Sequence, residues 1–202
     1  MAHLTTAGGP VMIALFIVSL AAGSATIYKI IQFYRLGVGR HRVARQAMAY
    51  WHGGDRAAAY HLVSHDKSQL SAVLTAAMSS LGHNPRDPGA ARSAATQRAL
   101  EAMAATSKNL RVIEAVVQGA PMLGLLGTVV GMIEAFGRVT EGGGAADPTV
   151  LAEGIWIALT TTAMGLTIAI PFYFISVWLE SRVETERAAM DAMIADVTTA
   201  RS

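Results

Sequence analysis

Cysteine is absent from this 202-residue chain, so neither a disulfide nor a thiolate metal site can contribute. Charge is scarce: Asp, Glu, Lys and Arg make up 15% of the residues, against roughly 25% in soluble domains. No nucleotide-binding loop, nucleophile elbow or catalytic carboxylate pair is present, which argues against an enzyme and implies no cofactor. Strand-like alternation, internal repeats and low-complexity tracts are also missing. What remains is an all-α chain with 52% hydrophobic residues, concentrated in three long apolar runs.

The three runs predict an integral membrane protein with transmembrane helices at residues 10–33, 113–136 and 150–179, each near the roughly 20 residues that cross a bilayer. Residues 1–9 form a short tail, 34–112 a helical cytoplasmic domain, 137–149 a loop and 180–202 a C-terminal helix. No Lys or Arg precedes the first run, which is also longer than a signal-peptide core, so it reads as a retained helix. Lys29, Arg35, Arg40, Arg42 and Arg45 lie at or just past its end, and Arg182 and Arg187 follow the third run. The loop GRVTEGGGAADP is short, Gly-rich and net acidic. Positive charge collects on the cytoplasmic side, so all three observations agree on an outside N-terminus and a cytoplasmic C-terminus.

The middle of the chain is basic, with twelve Lys/Arg against four Asp/Glu between Lys29 and Arg111. No nucleic-acid recognition motif accompanies this charge, and orientation in the membrane explains it better. Within this part, GVGRHRVARQAMAYWHGGD predicts a helix ending at Gly53-Gly54, and RAAAYHLVSHDKSQLSAVLTAAMSSLG one or two amphipathic helices. HNPRDPG carries the punctuation of a loop. The stretch RSAATQRALEAMAATSKNLRVIEAVV predicts a long helix able to run unbroken into the second span. His61 and His65 have the i,i+4 spacing of a metal pair, but no Glu or Cys completes a site, and surface histidines are the better reading.

Threonine and glycine distinguish the second and third spans from simple anchors. Gly154, Ala158, Thr162, Gly165 and Ala169 recur at three- and four-residue steps, and Gly124, Thr128 and Gly131 make a similar stripe. Gly127 adds a further small residue, and Thr160, Thr161 and Thr167 further hydroxyls. Small faces let membrane helices pack closely. Two such faces either pack together or line a shared pore; spacing alone favours packing. A threonine can also bond its own i−4 carbonyl. Pro171 reads as a packing kink. Glu114, Glu134 and Glu153 lie near span ends, where interfacial water can reach them; Glu134 is the deepest and the candidate for handling ions. No carboxylate lies at the centre of a span, so a proton path would need one from another chain.

APMLGLLGTVVGMIEAF, followed after a short loop by LAEGIWIALTTTAMGLTIAIP, resembles the MotA/TolQ/ExbB proton-channel family in its ExbB/TolQ branch. The similarity is strongest from about Leu110 to Pro171; the four-span MotA branch fits poorly. The resemblance implies a homopentameric ring in the lipid of a bacterial inner membrane, with residues 1–9 and 137–149 in the periplasm. It also implies a dimer of an ExbD- or TolR-like single-span partner in the pore and a TonB- or TolA-like transducer beyond. The family's pore-facing threonines correspond to Thr128 and Thr162, and the partner's aspartate would accept the proton. The short N-terminus leans towards ExbB over TolQ, and the branch norm is H⁺ rather than Na⁺.

One position departs from the pattern. Many ExbB and TolQ proteins carry glutamate in GI-x-E-AL, where this chain has Ile157 in GIWIAL. Three accounts follow, in order of preference: the glutamate is dispensable, Glu134 or Glu153 substitutes from another depth, or conduction is lost and the oligomer is a scaffold that holds a single-span partner. A solute transporter working alone would want inverted repeats or broken helices, which the sequence does not show.

Overall fold

A computed structural model describes residues 8–141 and 148–199. The tail at 1–7, most of the acidic loop (142–147) and residues 200–202 lie outside the described residues. Among those described there are seven helices and no strand: α1 (Gly8–Leu36), α2 (Arg42–His52), α3 (Arg56–His65), α4 (Gln69–His83), α5 (Pro88–Ser107), α6 (Leu110–Glu141) and α7 (Pro148–Thr199). α1, α6 and α7 each contain a stretch long and apolar enough to cross a bilayer. This is an all-α membrane protein. The chain divides into two compact units, an apolar one (residues up to Tyr28 and Asn109–Val177) and a polar one (Lys29–Lys108 and Trp178–Ser202).

In the polar unit, glycine and capping residues set the helix boundaries. Gly37 and Gly39 take positive φ (68° and 84°), so the chain turns sharply between α1 and α2. Gly53 closes α2 and Gly54 (φ 85°) redirects the chain. Asp55 caps α3 by accepting from the Ala58 amide, and Ser68 caps α4 through the Ser71 amide. Between α3 and α4, burial raises the Asp66 carboxyl, but bonds from the Ser68 and Ser71 hydroxyls and from backbone amides outweigh that and hold it below its ordinary value. Asp87 caps α5, with Pro88 in the first turn. Ala91, Ala95, Ala99 and Ala102 form the buried seam of α5, packed in one core with Leu70, Val73, Leu74 and Met78 of α4. Trp51 of α2 and Met190, Ile194 and Val197 of α7 complete that core.

Two helix boundaries differ from the sequence expectation. α5 does not run unbroken into the second span: Lys108 is extended (ψ 137°) and Asn109 left-handed (φ 69°). Asparagine is among the few non-glycine residues that adopt this conformation readily. In contrast, the third span and the C-terminal helix are a single 52-residue helix. Nothing caps it near Leu179, and the buried positions Leu179, Val183, Glu186, Met190, Ile194 and Val197 keep three- and four-residue steps to its end. Pro171 lies inside this helix and Pro121 inside α6; neither ends its helix.

In the apolar unit, Leu15 and Ala22 of α1 pack with Val116 and Ala120 of α6 and Ala169 of α7. α6 and α7 meet along a seam nearly without side chains. A Cβ on Gly124 would lie 3.0 Å from the Thr161 carbonyl oxygen, and one on Gly131 would lie 3.3 Å from Ala158 Cβ. On Gly127 it would come within 2.5 Å of Thr161 Oγ1, and on Gly165 within 2.6 Å of the Ala120 carbonyl oxygen. Gly154 faces Ala135 as tightly. The seam therefore runs Ala120, Gly124, Gly127, Gly131, Ala135 on α6 against Gly165, Thr161, Ala158, Gly154 on α7.

Two outcomes test these packings. Gly165→Ala is expected to destabilise the protein by about 1–3 kcal/mol through overpacking against backbone, whereas Gly119→Ala, with open space around it, should unfold as the wild type does. Leu74→Ala, at a fully buried position, is expected to cost about 2–5 kcal/mol. Thermal unfolding in a fixed detergent reads all three.

Candidate functional site

The membrane threonines are held in different ways. Thr161 is 1% exposed; its hydroxyl donates to its own helix at Ala158 (2.7 Å) and lies 3.4 Å from the Gly124 carbonyl. Thr162 is half-buried, and its hydroxyl donates across the seam to the same Gly124 carbonyl at 3.1 Å. Thr160 and Thr167 are exposed and bond back to Trp156 and Ala163, each at 2.8 Å. Thr128, also half-buried, donates to the Leu125 carbonyl at 2.6 Å. The stripes read from spacing meet the seam at Gly154, Ala158 and Gly165 of α7 and at Gly124 and Gly131 of α6. They differ at one position on each helix: Thr161 is in the seam in place of Thr162, and Gly127 in place of Thr128. Adjacent residues sit about 100° apart on a helix of 3.6 residues per turn, and the stripe follows whichever of them faces the neighbouring helix. Thr128 and Thr162 lie on the flanks of the seam.

Towards the other end of the pair, Glu134 and Arg138 of α6 and Glu153 and Ile157 of α7 line one small cavity of about 20 Å³, room for a single water. Gly131, Ala135 and Gly154 form its remaining wall. Both carboxylates are exposed at the rim. Glu153 and Ile157 are one helical turn apart, so they share a face of α7. Arg138, which the sequence reading counted only as loop charge, is the basic group in this cluster. Its signal was available: it stands four residues after Glu134. Glu114 is half-buried near the start of α6, away from this cavity-lining set.

Outward from the seam, α6 presents Met122, Leu125, Leu126, Val129, Ile133 and Phe136, and α7 presents Trp156, Leu159, Ile170 and Phe174, all exposed. Apolar surface of this extent belongs against hydrocarbon or further helices.

In the polar unit, His61 and His65 stack with ring centroids 4.3 Å apart, and His65 Nδ1 lies 2.9 Å from the His61 carbonyl oxygen. No third ligand joins them: among the described residues no group of three His, Cys, Asp or Glu is placed to hold a metal. Two polar contacts escaped the sequence reading. Glu186 is 1% exposed, and its Oε2 accepts from the Gly39 amide (2.9 Å) and faces His41 Nε2 (2.8 Å). A second imidazole–carboxylate pair joins His52 to Asp196 at 3.1 Å on exposed surface. Both tie α2 and its approach to α7.

Comparison with known proteins completes the picture. Residues 65–192 match the MotA/TolQ/ExbB proton channel family. The chain is similar to the biopolymer transport protein exbB1 of Vibrio cholerae, with 46% identity over 65 residues, 32% of this chain and 28% of that protein. It is similar also to a putative ExbB homolog of Methanothermobacter thermautotrophicus, with 37% identity over 84 residues, 42% of this chain and 29% of that one. These two matches span under a third of the relatives' own lengths. A longer match, to the putative ExbB-like 3 protein of Synechocystis, has 26% identity over 165 residues, 81% of this chain and 77% of the relative. The matched region takes in α4 to most of α7, the seam included, and on this ground the chain belongs to the MotA/TolQ/ExbB proton channel family, in the branch of its ExbB-named relatives.

Proposed function

We propose that the chain is the channel-forming stator subunit of a motor in the bacterial inner membrane, driven by the proton-motive force. The motor would energise TonB-dependent or Tol-type transport across the cell envelope. In this reading five copies form a ring around a dimer of an ExbD- or TolR-like single-span protein, whose aspartate takes the proton. A TonB- or TolA-like transducer receives the motion. α1, α6 and α7 cross the bilayer with the N-terminus in the periplasm, and the polar unit lies in the cytoplasm.

The observation that carries this reading is the division of labour across the α6–α7 pair. Close contact consumes the glycines and Thr161, while Thr128, Thr162, Glu134 and Glu153 stay on the flanks. Hydroxyls and carboxylates are costly against lipid, so a flank that bears them fits a polar passage better than the bilayer. Thr128, Thr162 and Glu134 are the residues assigned to that passage.

A second reading, a non-conducting scaffold that positions the single-span partner, has one observation in its favour. Ile157 lines the cavity at the position where the motif GI-x-E-AL that this stretch resembles has glutamate, and isoleucine cannot relay a proton. Glu153, one turn away on the same face, and Glu134 across the seam are the carboxylates available in its place.

Proton uptake into liposomes that hold the complex with its partner separates the two. Thr162→Val should reduce uptake at least ten-fold while the assembled mass stays unchanged; wild-type uptake in that variant would remove Thr162 from the passage. Thr161→Val is the packing control: it should lower thermal stability more than it lowers uptake. A wild-type complex with partner bound and no proton current would establish the scaffold.

A further inference from the structure

α5 ends with unpaired backbone carbonyls, as every helix does, and has no basic residue in its last turn. The cation that complements this end comes from another helix. Lys29 of α1 is fully buried. Its ammonium donates to the carbonyl oxygens of Thr106 and Lys108 and, at 3.0 Å, to Gln32 Oε1. An ammonium has three N–H bonds, so these three acceptors saturate it. Gln32 then turns its Nε2 to the Ala105 carbonyl at 3.0 Å. The ring of Phe33 lies 5.2 Å from the charge, within cation–π reach.

The acceptors that meet Lys29 here are neutral oxygens: two backbone carbonyls and an amide. A buried charge needs hydrogen-bonding dipoles where it loses water. Here they are the aligned carbonyls at the negative end of α5. The dependence runs both ways: the carbonyls gain a cation, and the ammonium gains three acceptors.

The end of α5 that Lys29 caps is weakly held by its own backbone. After Lys108 N–H reaches Ala104 (3.1 Å), helical bonding resumes only with Val112 N–H to Asn109 (3.3 Å). Between them stand an extended residue and a left-handed one.

We propose that Lys29 is a lock on the C-terminal turn of α5, a conformational device in which the last turns of α1 hold that turn in place. Hydrogen bonds fail steeply with distance and angle, so a displacement of α1 by about an ångström along its axis is enough to release it. The lock does not depend on what the membrane helices conduct. It predicts that the order of the end of α5 is set by one side chain on a different helix.

Hydrogen exchange read by mass spectrometry on the full-length protein in nanodiscs tests this. In Lys29→Met, amides of residues 104–112 should exchange at least ten-fold faster, with α2–α4 within two-fold of wild type. Gln32→Leu, at a partly exposed site and so tolerant of change, should give a smaller acceleration, about three-fold, at the same residues. If Lys29→Met does not fold, Gln32→Leu decides alone. Wild-type protein in 1 M NaCl should keep its protection at these residues, because buried contacts are little screened. Unchanged exchange at 104–112 in both variants, or equal acceleration across α2–α4, would overturn the lock.

Discussion

In hydrocarbon a polar atom has only protein to bond with, and much of the apolar unit follows from that. Backbone groups are committed to helices. Each of the threonine hydroxyls at 128, 160, 161, 162 and 167 finds a carbonyl, most of them on its own helix. Thr162 crosses to the Gly124 carbonyl, and Thr161 reaches the same oxygen at a longer 3.4 Å. Because apolar side chains gain little by leaving lipid for one another, two helices associate in a bilayer by close fit. Glycine provides the fit here, and the polar flanks are what the close contact leaves over.

The polar unit solves a different problem with related means. Water surrounds its helices in the proposed topology, so burial of Leu70, Val73, Leu74 and Met78 drives association. Small residues still matter, since the alanine seam of α5 lets α4 and α5 approach closely. α7 contributes to both units: its first part supplies Gly154, Ala158, Thr161 and Gly165 to the seam, and its last turns supply Met190, Ile194 and Val197 to the second core.

Much of this was legible from sequence. The all-α class, the three long apolar helices, the turns at Gly53-Gly54 and the loop before Pro88 follow from period and punctuation. The seam was legible at its glycines and Ala158, but not at its threonine. Thr161 and Thr162 are neighbours that both fit a 3.6-residue repeat, and only the position of α6 selects between them. Lys29 illustrates another limit. Counted with Arg35 and Arg40 it is one more positive charge after a span; in the structure it is buried and saturated. Glu186 likewise reads as a solvated residue on a polar helix, until α2 and its glycine turn fold over it. Charge counts carry no information on which charges are desolvated.

The seam also constrains how the chain can vary over generations. Glycine has no smaller replacement, so Gly124, Gly127, Gly131 and Gly165 can drift in one direction only, towards bulk. What faces them differs: Gly124 and Gly165 meet backbone, which cannot shrink, whereas Gly131 meets the Ala158 methyl and Gly127 the Thr161 side chain, which can. Replacement of glycine at 124 or 165 is therefore hard to relieve, while at 127 or 131 relief requires a second change on the other helix. Variation along α6 and α7 should come as matched exchanges across the seam, while the outward faces, in contact with lipid or with neighbouring helices, drift one residue at a time.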